Sequence, residues 1–213
     1  MAGVVDHMAF HGWPAEALEF YEGLEADNSR TYWTAHKHIY DRDVRGPMVE
    51  LLTELEPEFG EGKIFRPNRD VRFSADKSPY KTTIAATLDR GGYVQLSADG
   101  LAAGSGIYMM DADQLSRYRH AVDDDETGDE LRALVDELIK QDVEVTAREY
   151  LKTAPRGYAK DHPRVELLRH KGIIAWRHWP AEAWLGTSAA KDTVVEFLRL
   201  ARPLNDWLAE YVA

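Results

Sequence analysis

The chain has no cysteine among its 213 residues. Disulfides, thiolate nucleophiles and cysteine-ligated zinc or iron–sulfur centres are excluded together. It also lacks any apolar run approaching the roughly 20 residues that span a bilayer, so no membrane partner is expected. The amino terminus, MAGVVDHMAFHGWP, has neither the basic start nor the apolar stretch of a secretory signal. The cytoplasm is therefore the expected compartment. Positive charge is in short supply: 26 Lys and Arg face 37 Asp and Glu, for a net −11. A chain of this sign does not carry the broad positive field that extended nucleic acid or an anionic membrane requires. G-x-S-x-G, Walker and H-E-x-x-H motifs are absent as well.

The scarce positive charge is unevenly placed. Lys63, Arg66, Arg69, Arg72, Lys77 and Lys81 fall within one short stretch that holds only Asp70 and Asp76 as counter-charges. That stretch carries +4 and leaves −15 on the rest of the chain. Guanidinium forks match phosphate or carboxylate in a bidentate way, and Ser74, Ser78, Tyr80 and Thr82 add hydroxyls. Two readings are open. The cations hold a small anionic, phosphorylated ligand, or they are internal struts that tie the chain's own carboxylates together.

The rest of the pattern predicts an α+β fold in one domain, 1–213. N-terminal helices would pack on a mainly antiparallel sheet, with a helix at the C-terminus. Ala17, Leu18, Phe20, Tyr21 and Leu24 make an apolar stripe over 14–25. Asp27, Asn28 and Ser29 supply an N-cap for a second helix over 30–55, with Trp33, Lys37, Tyr40 and Val44 on one face. Gly46-Pro47 should kink or divide that helix, and 57–62 should break it. The basic stretch should be extended, with turns at Pro67-Asn68 and Ala75-Asp76. Tyr93, Gln95 and Ser97 alternate with Val94 and Leu96, and Asp99-Gly100 follows as a hairpin turn. A capping box at Asp111–Gln114 opens a helix to about 121. An acidic loop over 123–126 precedes another helix over 129–140. Asp161-His162-Pro163 should cap a short helix through 170, and 173–179 a strand closing the sheet. A last helix should start near 188.

Few side chains complete a known chemical set. An extended segment places Asp70 and Arg72 on one face, so Asp70 reads as an arginine positioner with a depressed pKa rather than as a general base. His36 and His38 diverge by about 200° on a helix and cannot share a metal unaided; no metal and no cofactor is expected. Gly104-Ser-Gly106 lacks the third glycine of a dinucleotide loop and reads as a bulge or a close backbone approach. The tryptophans are core candidates, although those on 173–184 could line a surface for a protein partner.

The stretch Phe65-Arg-Pro-Asn-Arg-Asp-Val-Arg-Phe-Ser-Ala-Asp-Lys-Ser-Pro-Tyr-Lys-Thr82 resembles the signature of an uncharacterised family, domain of unknown function 2461. Asp27 to Trp33, with Lys37 and Tyr40 after it, is similar to that family's Asn-rich helix start. The order Tyr32-Trp33 reverses its usual aromatic pair. Tyr93 to Gly100, Gly104 to Met109, Gly157-Tyr158, Asp161-His162-Pro163 and Leu167-Leu168 match in the expected order, so the resemblance covers about 10–210. It implies an intracellular α+β domain and no established activity.

The sequence thus nominates a ligand site: Arg66, Arg69, Asp70, Arg72, Ser74, Lys77, Tyr80 and Lys81, with Arg30, His36, Lys37 and Tyr40 presented from the second helix. An enzymatic alternative has His36 or Tyr80 moving protons on an arginine-held substrate.

Overall fold

A computed structural model describes residues 9–213; most of the amino-terminal stretch read above as lacking a secretory signal lies outside them. The fold is α+β. Six strands, β1 (Gly62–Ile64), β2 (Thr83–Leu88), β3 (Gly92–Ser97), β4 (Gly100–Ile107), β5 (Glu144–Thr146) and β6 (Ile173–Pro180), take the order β1-β2-β3-β4-β6-β5. The strand expected to close the sheet, β6, is therefore interior, and the three-residue β5 forms the edge beyond it. Short edge strands offer little backbone for another chain to pair with. The chain divides into two units. The first holds the described residues through Ala103 together with His178–Glu196; the second holds Gly104–Arg177 and Phe197–Ala213.

The first unit begins with α1 (Ala15–Ala26), whose buried Ala17, Phe20, Tyr21 and Leu24 follow the helical spacing of the sequence. Ser29 caps α2 (Arg30–Ile39), its hydroxyl accepting from the Tyr32 N–H at 3.1 Å. Gly46-Pro47 does not divide the helix that follows. The chain widens into a π-helical turn at Tyr40–Arg45 and runs directly into α3 (Gly46–Phe59). Proline cannot donate to the carbonyl four residues back and would clash with it. The wider turn, in which the Gly46 N–H reaches back to the Asp41 carbonyl, accommodates that conflict without ending the helix. Pro57 also lies inside α3, so the expected break over 57–62 moves to Gly60, where φ is +82°. Burial of Phe59 holds the last turn in place. Against α3 lie β1 and β2. On β3, buried Val94 and Leu96 alternate with half-buried Tyr93 and Gln95, in register with Ala86 and Ile84 of β2.

In the second unit, Asp111 closes a full capping box on α4 (Ala112–Asp123). The acidic run after it is not a free loop. Asp124 caps α5 (Asp125–Lys140) by accepting from the Glu126 and Thr127 N–H groups. Its organiser is Arg164, only 4% exposed. Arg164 donates to the carbonyls of Val122, Asp123 and Asp124 and pairs with Asp125 and Asp129. Gly128 makes room for it, because a Cβ there would fall 2.5 Å from the Arg164 Nε. The expected helix through His170 is one turn only, α6 (Val165–Leu168), and His162 rather than Asp161 accepts the Arg164 N–H, at 3.0 Å. Gly104 and Gly106 mark a close approach of strands. A Cβ on Gly104 would sit 2.9 Å from the Trp176 ring, and one on Gly106, where φ is +126°, 2.2 Å from the Ile173 carbonyl. The remaining helix, α7 (Ala189–Tyr211), begins in the first unit and ends in the second.

Buried His170 is expected to make the second unit acid-sensitive. Its Nδ1 has no hydrogen-bond partner, and burial pushes its pKa down from 6.5 to about 4, with Glu166 opposing and Arg169 adding to the shift. The unfolded chain therefore takes up a proton below about pH 6.5 that the native imidazole refuses until about pH 4. Stability should be fully present above pH 6.5 and fall by about 3 kcal/mol as the pH drops towards 4. Urea unfolding at pH 7 and pH 5 measures this slope, and His170→Phe should flatten it. An unchanged slope in that variant would assign the acid sensitivity to other groups.

Candidate functional site

The basic stretch leaves β1 and returns at β2 as a wide loop in the first unit. Its two limbs meet at a single antiparallel bridge between Asn68 and Tyr80, with Arg69 N–H donating to the Pro79 carbonyl at 2.9 Å and Lys81 N–H to the Pro67 carbonyl at 2.8 Å. The other side of Tyr80 faces the start of α2. Asn28 Nδ2 donates to the Tyr80 carbonyl at 3.0 Å, and its Oδ1 accepts the Tyr80 N–H at 3.1 Å. The Tyr80 ring lies flat on Trp33, with centroids 4.3 Å apart and planes 9° off parallel. These contacts fix the returning limb against the helices.

The arginines divide by partner. Arg72 forks onto Asp70 at 2.9 and 2.7 Å. That guanidinium, then the Arg72 N–H and the charge of Arg66, hold the Asp70 carboxyl below its usual range. A low pKa suits a positioner of arginine and not a base. Arg69 pairs with Asp76, which also accepts from the Ser78 N–H and hydroxyl. With these donors the Asp76 carboxyl lies far below its usual range, Arg69 contributing most. The Lys77 ammonium donates to the Val71 carbonyl at 2.9 Å, and the Ser74 N–H reaches the same carbonyl at 3.4 Å. Arg66 and Lys81 have no carboxylate partner among the described residues. The Lys81 ammonium lies 5.3 Å from the centroid of the Phe65 ring. Desolvation, and secondarily the neighbouring Arg66, push its pKa down.

A cleft of about 390 Å³ opens beside the returning limb. Arg69, Asp76, Ser78, Tyr80, Lys81, Thr82 and Thr83 line it from the loop and β2, while Glu25 and Asn28 come from the end of α1 and the turn before α2. Of the residues nominated from α2 and the turn after it, none lines this cleft. Lys37 pairs with Asp41 one turn on, not with the buried face that Trp33, Tyr40 and Val44 share. His36 donates from Nδ1 to the Tyr32 carbonyl at 2.8 Å and stacks on the Tyr32 ring at 4.0 Å. Tyr40 is buried against Phe20 and Trp33, and burial raises its pKa to about 12. Arg30 is exposed at the first turn of α2. Glu25 and Asn28 were not nominated from the sequence. Asn28 was legible only as a cap residue, and an acidic residue at a helix end carries no signal of its own.

Among the described residues no group of three or more His, Cys, Asp or Glu is placed to hold a metal ion. No described helix is long and apolar enough to cross a membrane.

Comparison with known proteins gives two findings. The family model described as a conserved hypothetical protein (DUF2461) matches residues 16–207. A solved structure of a conserved hypothetical protein from Pyrococcus furiosus is similar at 14% identity, with a TM-score of 0.39, over 81% of this chain and 98% of that one. No curated protein matches the chain.

Proposed function

The chain belongs to the DUF2461 family of conserved hypothetical proteins, and on that premise we propose that the cleft beside the basic loop binds a small phosphorylated ligand. One observation carries the reading. Lys81 lines the cleft with no carboxylate partner among the described residues, partly desolvated, and beside Arg66, whose charge acts on both Lys81 and Asp70. A cation without an ion pair in an acidic protein is stabilised by an incoming anion, and phosphate offers acceptors for the Lys81 ammonium that lines the cleft. Ser78, Thr82 and Thr83 bring hydroxyls to the same cleft.

Calorimetric titration with inorganic phosphate and organic phosphates tests this. Lys81→Met keeps the aliphatic stem over Phe65 and should weaken phosphate binding about thirty-fold. Arg72→Ala, whose guanidinium is committed to Asp70, should leave binding close to wild type. Equal affinity in wild type and Lys81→Met, or no binding of any phosphate, would refute the assignment.

A second reading has its own observation. Arg69–Asp76 and Arg72–Asp70 are internal ion pairs that shape the loop. These struts are compatible with a ligand on Lys81, and exposed pairs of this kind contribute little to stability.

A further inference from the structure

The cleft has a second unpaired charge. Glu25, on the last turn of α1, lines the same 390 Å³ space as Lys81 and has no hydrogen bond or ion pair among the described residues. The Arg69–Asp76 pair lines the same cleft, its charges already matched. A plain anion gains nothing from Glu25, since a carboxylate in the cleft repels it. The lining also carries hydroxyl residues, Ser78, Thr82 and Thr83. Phe65, the exposed ring nearest Lys81, is not part of the lining. A cleft with a free ammonium, a free carboxylate and hydroxyl walls complements a molecule that carries an anion at one end and several hydroxyl donors at the other. The volume falls within the range of small-molecule sites, roughly 300–1,000 Å³.

We propose that the ligand is a hydroxylated organic phosphate of the sugar-phosphate or polyol-phosphate class, with its phosphate on Lys81 and its hydroxyls donating to Glu25. This rests on the phosphate reading of the cleft and adds the polar end of the ligand to it. A carboxylate accepting from a ligand hydroxyl makes a charge-assisted hydrogen bond. Removing one such partner weakens binding by about ten-fold or more.

The test compares inorganic phosphate, a simple alkyl phosphate, a sugar phosphate and a mononucleotide on the full chain and on Glu25→Ala, by calorimetry. Glu25 is exposed, so the variant should fold, and circular dichroism with thermal melting checks that it does. The sugar phosphate is expected to bind the wild type more tightly than inorganic or alkyl phosphate. Glu25→Ala should erase that advantage by about ten-fold while inorganic phosphate binds the variant equally or slightly better. The opposite directions separate a hydroxyl acceptor from a mere contributor to the local field. Equal binding of sugar and inorganic phosphate, or a sugar-phosphate advantage that survives Glu25→Ala, overturns this inference and leaves the phosphate reading standing. Failure of every phosphate to bind overturns both.

Discussion

Replacing Trp33 with alanine is expected to lower the stability of the protein by about 4 kcal/mol. The indole is buried where three rings converge. Tyr80 stacks on it at 4.3 Å, Tyr40 lies at 4.8 Å and Phe20 meets it edge-on at 5.8 Å. Alanine removes the partner of all three contacts and leaves a cavity that rigid helices on two sides cannot close. Trp33→Phe keeps a ring in the stack and should cost about 1.5 kcal/mol. The two effects differ in place as well as size. Tyr80 would keep its backbone bonds to Asn28 but lose its seat. Trypsin should then cut the Arg69–Lys77 loop of the alanine variant faster than that of the wild type, under conditions where both remain folded. Denaturant unfolding measures the first effect and limited proteolysis the second. A loss below about 1.5 kcal/mol in the alanine variant would mean that the rings repack around the gap.

Arg164→Met should cost a similar amount, about 4 kcal/mol, and the reason is not its ion pairs. Asp125 is 97% exposed and the Asp129 side chain 73%, so water screens both partners and the pairs add little. The burden falls on the carbonyls of Val122, Asp123 and Asp124, which receive the guanidinium between α4 and α5. Methionine fills the volume and leaves the Val122 and Asp123 carbonyls without their donor, while the Asp124 carbonyl keeps the Gly128 N–H at 2.9 Å. Asp125→Ala, by contrast, should unfold at nearly the wild-type denaturant concentration. Comparable losses in the two variants would show that the charge pair, and not the carbonyl set, holds the turn.

The parts of this molecule that were legible in the sequence are those written in local chemistry. Ser29 and Asp111 announce their helices because an orphan N–H needs an acceptor within three residues. Val94 and Leu96 announce a strand because alternation has one geometric meaning. Asp70 and Arg72, two apart on extended backbone, could be paired on paper and are paired in space. What was not legible depends on long-range partners. Arg164 sits some forty residues from the carbonyls it serves, and the acidic run looked like a solvated loop without it. Gly128, just ahead of the helix predicted over 129–140, lies inside α5, where the absence of a Cβ admits the Arg164 guanidinium. Pro47 was correctly suspected of conflict with its helix, but a proline does not state whether the backbone will break or widen. The same limit applied to Lys81. Its charge was visible, but its lack of an ion pair could be seen only after the carboxylates of the described residues had found their places.

Asn28 has one more consequence, for behaviour between molecules. An isolated stretch of extended chain presents one row of amides to its neighbour and a second row outward, and the outward row invites other chains to add on. At Tyr80 that outward pair is already filled by a single side-chain amide, which takes the N–H and supplies the donor for the C=O as a neighbouring strand would. The amide acts as a stopper. It gives the returning limb the hydrogen bonding of a paired strand while offering nothing for an intruding strand to zip onto, next to an exposed phenylalanine-bearing loop that would otherwise favour self-association.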